Sequence, residues 1–338
     1  MTAVHSHPTA PATRRLDGRE QHFRIDGPHP GLKLFLRYLA PAAEPPDVAG
    51  PKVALYVHGG TFPSALSIAH RFDGRSWRDE LCAAGFHVWG FDFHGFGMLS
   101  DRYPEMERPA EASAPLGTAE DASRQLEDVV RFIGAHHGVA RVSLIAHSWG
   151  TIAAGRFAGR CPELVDRMVF FGAITWRPPH TEPPRLPGWR LISVKDQWDR
   201  FVADVPAGEP PVLDQRHFAE WAERYLDIDP DSRSRSPAAV KTPSGAFQDI
   251  YDAWAGELAY DPGRVTAPVA IIRGEWDSLC TDEDARWLFR ALAGSRLRRD
   301  IKIARATHLM HLEENRYALY RETRSFLDAG DIAPPHHI

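Results

Sequence analysis

The sequence predicts an α/β protein, with a mostly parallel sheet covered by helices on both faces. Three observations lead there. Short apolar β-like runs alternate with longer stretches of helical periodicity. The length, 338 residues, suits one large α/β domain with an insertion and is enough to bury a substantial core. The alternation breaks only once, between about Arg177 and Asp261.

Taken in order, HFRI (22–25) and LKLFLRYL (32–39) form an opening pair of strands. A Pro- and Ala-rich turn covers 41–51, and KVALYVHGG is a buried strand ending at Gly59 and Gly60. SWRDELCAAG is a helix stopped by Gly85, and FHVWGFDF is a strand running into the loop HGFGMLSD. TAEDASRQLEDVVRFIGAHHG takes Thr118 as its N-cap, with acids in the first turn. Its Leu126, Val129, Val130 and Ile133 recur at helical spacing before Gly138. RVSLIAHS is a strand, WGTIAAGRFAGR a helix, and VDRMVFFGAITW a further strand.

From 177 to 261 prolines cluster at 178–187 and 205–211, aromatic residues are frequent, and no strong strand is legible. A structureless loop of that length inside a compact domain is improbable, so the segment is expected to be a mainly helical insertion. The strand PVAIIRGEWD, the helix DEDARWLFRALAGS, the strand RDIKIARATH and the helix NRYALYRETRSFLDAG complete the chain. The expected division is a flexible tail over 1–20, a core over 21–176 and 262–330, and a helical cap over 177–261.

A net charge of −5 argues against a general nucleic-acid binder, and the RLRR run at 296–299 reads as a solvated face. No apolar run reaches the length of a membrane span. The N-terminus lacks the apolar segment of a secretory signal, and Cys82, Cys161 and Cys280 are widely spaced. Together these point to a reducing, cytoplasmic setting. Seventeen histidines include the adjacent pairs His136-His137 and His336-His337, but none has metal-ligand spacing. Neither a metal nor a cofactor is expected.

The chemistry centres on AHSWG, 146–150. A serine at the tip of a strand-turn-helix, with small residues two before and two after, is the nucleophile-elbow context. Ala146 and Gly150 meet that steric need. The following helix points backbone N–H groups at the serine, where negative charge would develop. Taken alone, the alternative for Ser148 is an ordinary N-cap in a strand-to-helix loop. A serine hydroxyl needs a base, and the base needs an orienting acid. Asp277 follows one later strand and His308 another, so all three lie at the same carboxyl edge of a parallel sheet, where ligands bind. Glu275 and His311 are the alternatives for acid and base. The glycines of HGGTFP (58–63) let backbone approach an oxyanion, through N–H groups of Trp149 and of Gly60 or Thr61. His147 and His58 are expected to support turns, and His94 is a further candidate to reach the pocket. Cys280 flanks the acid.

VHGG, DFHGFG (92–97), AHSWG, RGEWD and ATHLMHLE together resemble the α/β-hydrolase superfamily of serine hydrolases. The resemblance covers roughly Lys52 to Glu313. Its wording is most similar to the proline-iminopeptidase-like and esterase branches. It implies an eight-stranded sheet, a helical cap after strand six, Ser148 as nucleophile, Asp277 orienting His308, and Gly60 and Trp149 as the oxyanion hole. Two departures stand out: HGGTF replaces the peptidase branch's HGGPG, and His94 replaces an arginine in the DxRGxGxS loop.

The reading is a cofactor-independent hydrolase of a carboxylic ester or related acyl compound. Its substrate would be a small molecule with an apolar or aromatic acyl part. Amide or peptide hydrolysis, acyl transfer and a non-catalytic binding role are the rivals. Acids at Asp196, Asp199, Asp204, Glu220 and Glu223 would bind a substrate ammonium if the chain were an aminopeptidase, or be solvated helix faces if it were not.

Overall fold

The computed structural model describes residues 15–43 and 50–329. The strands are β1 (Gln21–Asp26), β2 (Lys33–Leu39), β3 (Lys52–Val57), β4 (Phe86–Asp92), β5 (Val142–His147), β6 (Val165–Phe171), β7 (Trp189–Ser193), β8 (Ala239–Pro243), β9 (Val269–Gly274) and β10 (Arg298–Ile303). The helices are α1 (Trp77–Ala83), α2 (Ala119–His137), α3 (Gly150–Arg160), α4 (Val194–Val202), α5 (Gln215–Leu226), α6 (Gly245–Trp254), α7 (Asp282–Ala291) and α8 (Arg316–Leu327).

Eight strands form one sheet in the order β1-β2-β4-β3-β5-β6-β9-β10, and only β2 runs against the others. The central strands β5 and β9 are buried along their whole length, as parallel strands between two helix layers must be. Successive side chains point to opposite faces. Leu144, Met168, Phe170 and Ile271 pack with α2, α3 and α7 on one face; Ile145, Val169, Phe171 and Ile272 pack with α1 and α8 on the other. All the parallel strands therefore end at one edge.

The 177–261 segment differs in part from expectation. It holds α4, α5 and α6, but also β7 and β8, which pair antiparallel from Trp189↔Pro243 to Ser193↔Ala239. They form a sheet of their own. Phe201, Phe218, Trp221 and Tyr225 of this segment pack on Phe62, after β3, and on Leu309 and Leu312, after β10. The aromatic residues thus fasten the segment to the loops at the carboxyl edge. Helix α6 goes deeper: its Ala246 and Ala253 join the main core.

Thr118 stands at the N-cap of α2 as expected, but its side chain makes no capping bond. The Ala119 N–H instead donates to Asp249 Oδ2 of α6 at 2.6 Å. The expected turn at 41–51 falls partly, and His336-His337 wholly, outside the described residues. So does most of the expected tail, but its last residues are anchored. Glu20 is buried between Arg37 at 2.8 Å and Arg78 at 2.6 Å. Burial alone would raise its carboxyl, but the His22 hydrogen bond and the two guanidinium charges hold it down to about 2.

This anchor has a measurable signature. Glu20→Ala strands two buried guanidinium groups and should lower unfolding free energy by about 3–5 kcal/mol in urea titrations. Because the folded-state pKa lies below the ordinary 4.5, the contribution of Glu20 is present above about pH 4.5 and lost toward about pH 2. Glu20→Gln should remove that part of the acid dependence.

Candidate active site

Strand β5 ends at His147 and α3 begins at Gly150, so Ser148 must turn the chain within a step. It does so with φ of +54°, in the left-handed region. A non-glycine residue there costs of order 1–3 kcal/mol and persists only where the surroundings hold it. Here the Ser148 N–H donates to Phe171 O at 3.1 Å, and its C=O accepts from Thr151 N at 2.9 Å and Thr151 Oγ1 at 2.6 Å. Gly150 is needed for close approach rather than for its own dihedral. A Cβ there would lie 2.4 Å from His58 O and 2.9 Å from Val57 O, at the end of β3. Ser148 is buried except for a small opening at the carboxyl edge, 8% exposed.

Asp277 follows β9 and His308 follows β10. His308 Nδ1 lies 3.1 Å from Asp277 Oδ1 and 3.0 Å from Oδ2. Leu279 N and Cys280 N donate to Oδ1 at 2.9 and 3.0 Å, so the carboxylate is fixed before it meets the imidazole. With Nδ1 donating to Asp277, Nε2 keeps its lone pair. Nε2 is buried, has no hydrogen-bond partner among the described residues, and His308 lines the same cavity as Ser148. No direct Ser148–His308 hydrogen bond is present among the described residues; such contacts commonly tighten only with substrate bound.

The alternatives separate cleanly. Glu275 is exposed and accepts from Arg305 N at 3.0 Å. His311 is buried against Phe62 and His147, with both ring nitrogens unpartnered among the described residues. His147 Nε2 bonds His308 O at 3.0 Å, tying the serine turn to the histidine loop. His58 bridges its neighbour Gly59 O and Phe93 N, and burial pushes its ring toward the neutral form. His94 does not reach the cavity. It is buried away from it, with Nδ1 3.1 Å from Asp101 O. Cys280 meets the acid through its N–H, and burial raises its thiol well above the ordinary range.

Gly60 and Thr61 line the cavity beside Ser148. Trp149 is fully buried at the N-cap of α3, behind the lining. Neither the Gly60 nor the Trp149 N–H donates to a protein acceptor among the described residues. The cavity holds about 230 Å³. Its walls are mainly apolar, including Phe62, Ile192, Phe201, Phe247, Ile250 and Leu309. Its charged residues come from the 177–261 segment: Arg190, Asp196 and Arg200. Arg190 lies 4.3 Å over the Phe247 ring, and Arg200 pairs with Asp204 at 2.6 Å. Asp196 is occupied by Ser193 N and Oγ. Of the five acids considered for ammonium binding, only Asp196 lines this cavity.

The Hydrolase_4 family model, described as serine aminopeptidase, S33, matches residues 68–315. The chain belongs to this family of α/β-hydrolases. Among solved structures, this hydrolase is similar to a thermophilic esterase from Thermogutta terrifontis, with 18% identity, TM-score 0.56 and coverage of 91% of this chain and 98% of that one. It is similar to the thioesterase domain of the curacin biosynthetic pathway, with 13% identity, TM-score 0.58 and coverage of 92% and 99%. An epoxide hydrolase from Vigna radiata shows 15% identity, TM-score 0.58 and coverage of 91% and 98%. At these identities the likeness is one of fold. No curated protein matches the chain. No helix among the described residues is long and apolar enough to cross a membrane.

Two residues packed against the candidate site are not flagged by the sequence. Asp249 sits on the apolar 246–250–253 stripe of α6, an irregularity in the pattern that could have flagged it. Gly172 resembles any glycine at a strand end. It has φ of +56°, and a Cβ there would lie 2.8 Å from His308 Nδ1 and 3.3 Å from Asp277 Oδ2. Gly172→Ala should therefore push the imidazole off the carboxylate. Turnover should fall at least about 100-fold, as a displacement of about 1 Å in a reacting group can cost. Melting temperature should fall less than for Gly150→Ala, whose added methyl meets backbone.

Proposed function

We propose that this hydrolase cleaves a carboxylic ester through an acyl-enzyme on Ser148. The observation that carries the reading is one cavity joining three features. A serine held at positive φ, a histidine whose far nitrogen is bound to a buried carboxylate, and the Gly60 turn all meet there. Ser148 Oγ attacks the carbonyl while His308 Nε2 takes its proton, and Asp277 stabilises the imidazolium. The Gly60 and Trp149 N–H groups hold the oxyanion. His308 then protonates the leaving alcohol and activates the water that releases the acid.

In this reading the 177–261 segment is a cap on the 21–176 and 262–330 core, and its aromatic residues supply the apolar wall for the acyl part. The family's description raises amide cleavage as the second reading. An aminopeptidase must hold a substrate ammonium, and among the described residues the cavity offers as carboxylate only Asp196, already engaged and beside Arg190. That balance favours the ester.

Matched p-nitrophenyl acyl esters and aminoacyl p-nitroanilides test the choice. Wild type should turn over esters, with kcat/KM varying with chain length. Ser148→Ala and His308→Ala should each lose about 10⁴-fold or more while remaining folded by circular dichroism. Faster anilide than ester cleavage would move the protein to the amidase reading. Ester turnover surviving in Ser148→Ala would overturn the mechanism.

A further inference from the structure

We infer that Asp249 is a positioning residue of the oxyanion hole, acting on the Trp149 N–H through the Trp149 indole. The inference rests on the reading of Ser148 and Trp149 given above. Asp249 Oδ2 accepts the Trp149 indole N–H at 2.7 Å and the Ala119 N–H at 2.6 Å. One buried oxygen therefore joins α6, the residue after Ser148, and the first turn of α2. Phe93 and Phe96 pack against the indole, at 5.2 and 6.4 Å between ring centroids. The ring is thus held by apolar contacts and by one polar bond at its N–H edge. The same helix touches the other donor too: a Cβ at Gly60 would lie 2.9 Å from Ala246 Cβ. Helix α6 therefore abuts both groups assigned to the oxyanion hole, and Asp249 is its only carboxylate on that face.

A carboxylate suits this place because it accepts both N–H groups and complements the positive end of α2, which Thr118 leaves uncapped. Asp249 is 7% exposed and has no salt-bridge partner among the described residues. The charged groups around it are Asp252 on its own helix, Arg156 on α3, and Glu120 on α2, which lies 3.7 Å from Arg156. Asp121, next on α2, is turned to His29 and Tyr103. Burial raises the Asp249 carboxyl to about 7 against the two hydrogen bonds. The tether is complete above that pH and weakens below it, because a protonated carboxyl loses the charge that strengthens both bonds. Turnover should accordingly carry a step near pH 7 that follows the Asp249 carboxyl.

The test compares wild type, Asp249→Asn and Trp149→Phe, which keeps the backbone N–H and loses the indole donor. With the best ester of the series above, Asp249→Asn should lower kcat about tenfold or more, below the 10²–10³ that losing a whole oxyanion donor costs. KM should stay within about twofold and the step near pH 7 should vanish. Trp149→Phe should behave alike, and the double variant should lose no more than either single one, since both break the same bond. A purely structural Asp249 would instead lower melting temperature with kcat and pH profile unchanged. That result, or losses that multiply in the double variant, would overturn the inference.

A second readout does not depend on turnover. In protein with ¹⁵N-labelled tryptophan, the indole resonance missing from Trp149→Phe should titrate near pH 7, and should not do so in Asp249→Asn. An indole resonance at the same shift in wild type and Asp249→Asn at pH 9 would contradict the tether even if ester hydrolysis proceeds. A titrating resonance in a protein that hydrolyses no ester would keep the tether and reject the ester reading.

Discussion

The backbone at Ser148 is the constraint on which the rest of the site depends. A serine at φ of +54° is unfavourable, and the fold spends several contacts on holding it there. The Phe171 carbonyl takes its N–H, Thr151 takes its carbonyl, and Gly150 lets α3 start against the end of β3. The sharp turn lifts the hydroxyl out of the sheet plane. It also leaves the next N–H, that of Trp149, without a helical or strand partner. Position and electrostatics thus come from one local strain, and the strain is tolerable because β5 lies at the centre of a sheet buried on both faces.

The partners of Ser148 are arranged by the same edge. Parallel strands end together, so loops after β9 and β10 bring Asp277 and His308 within 3.0 Å although they are 31 residues apart. Gly172, after β6, leaves the room in which that pair meets. The 177–261 segment then closes the edge with aromatic packing on Phe62, Leu309 and Leu312. Helix α6 belongs to both layers. It packs in the core, braces Gly60 and reaches Trp149 through Asp249. Substrate recognition and oxyanion stabilisation are therefore mechanically connected in our account, through a helix that a simple division into core and cap would assign to the cap.

Much of this was legible because it is written in periodicity and in strand ends. The buried strands and the amphipathic α2 follow from apolar spacing, and Ser148, Asp277 and His308 each stand just past a strand. The hidden parts depend on contacts that no local pattern records. Strands β7 and β8 are five residues each and pair across some 45 residues of intervening chain, so no turn announces them. Thr118 looked like the cap of α2, but the oxygen that takes the first N–H comes from 130 residues away. His94 occupies a loop position that faces Asp101 rather than the cavity, a choice made by packing. The division of Glu275 from Asp277 was also tertiary: one meets Arg305 at the surface, the other a buried imidazole.

The central claim is that Ser148 is an activated nucleophile. The most direct test is covalent: react the protein with a fluorophosphonate, digest it and locate the adduct by mass spectrometry. The account predicts a single phosphonylated residue, Ser148, formed quickly in wild type and at least about 100-fold more slowly in His308→Ala. An unlabelled Ser148 in folded protein, or an adduct on another residue, would contradict it.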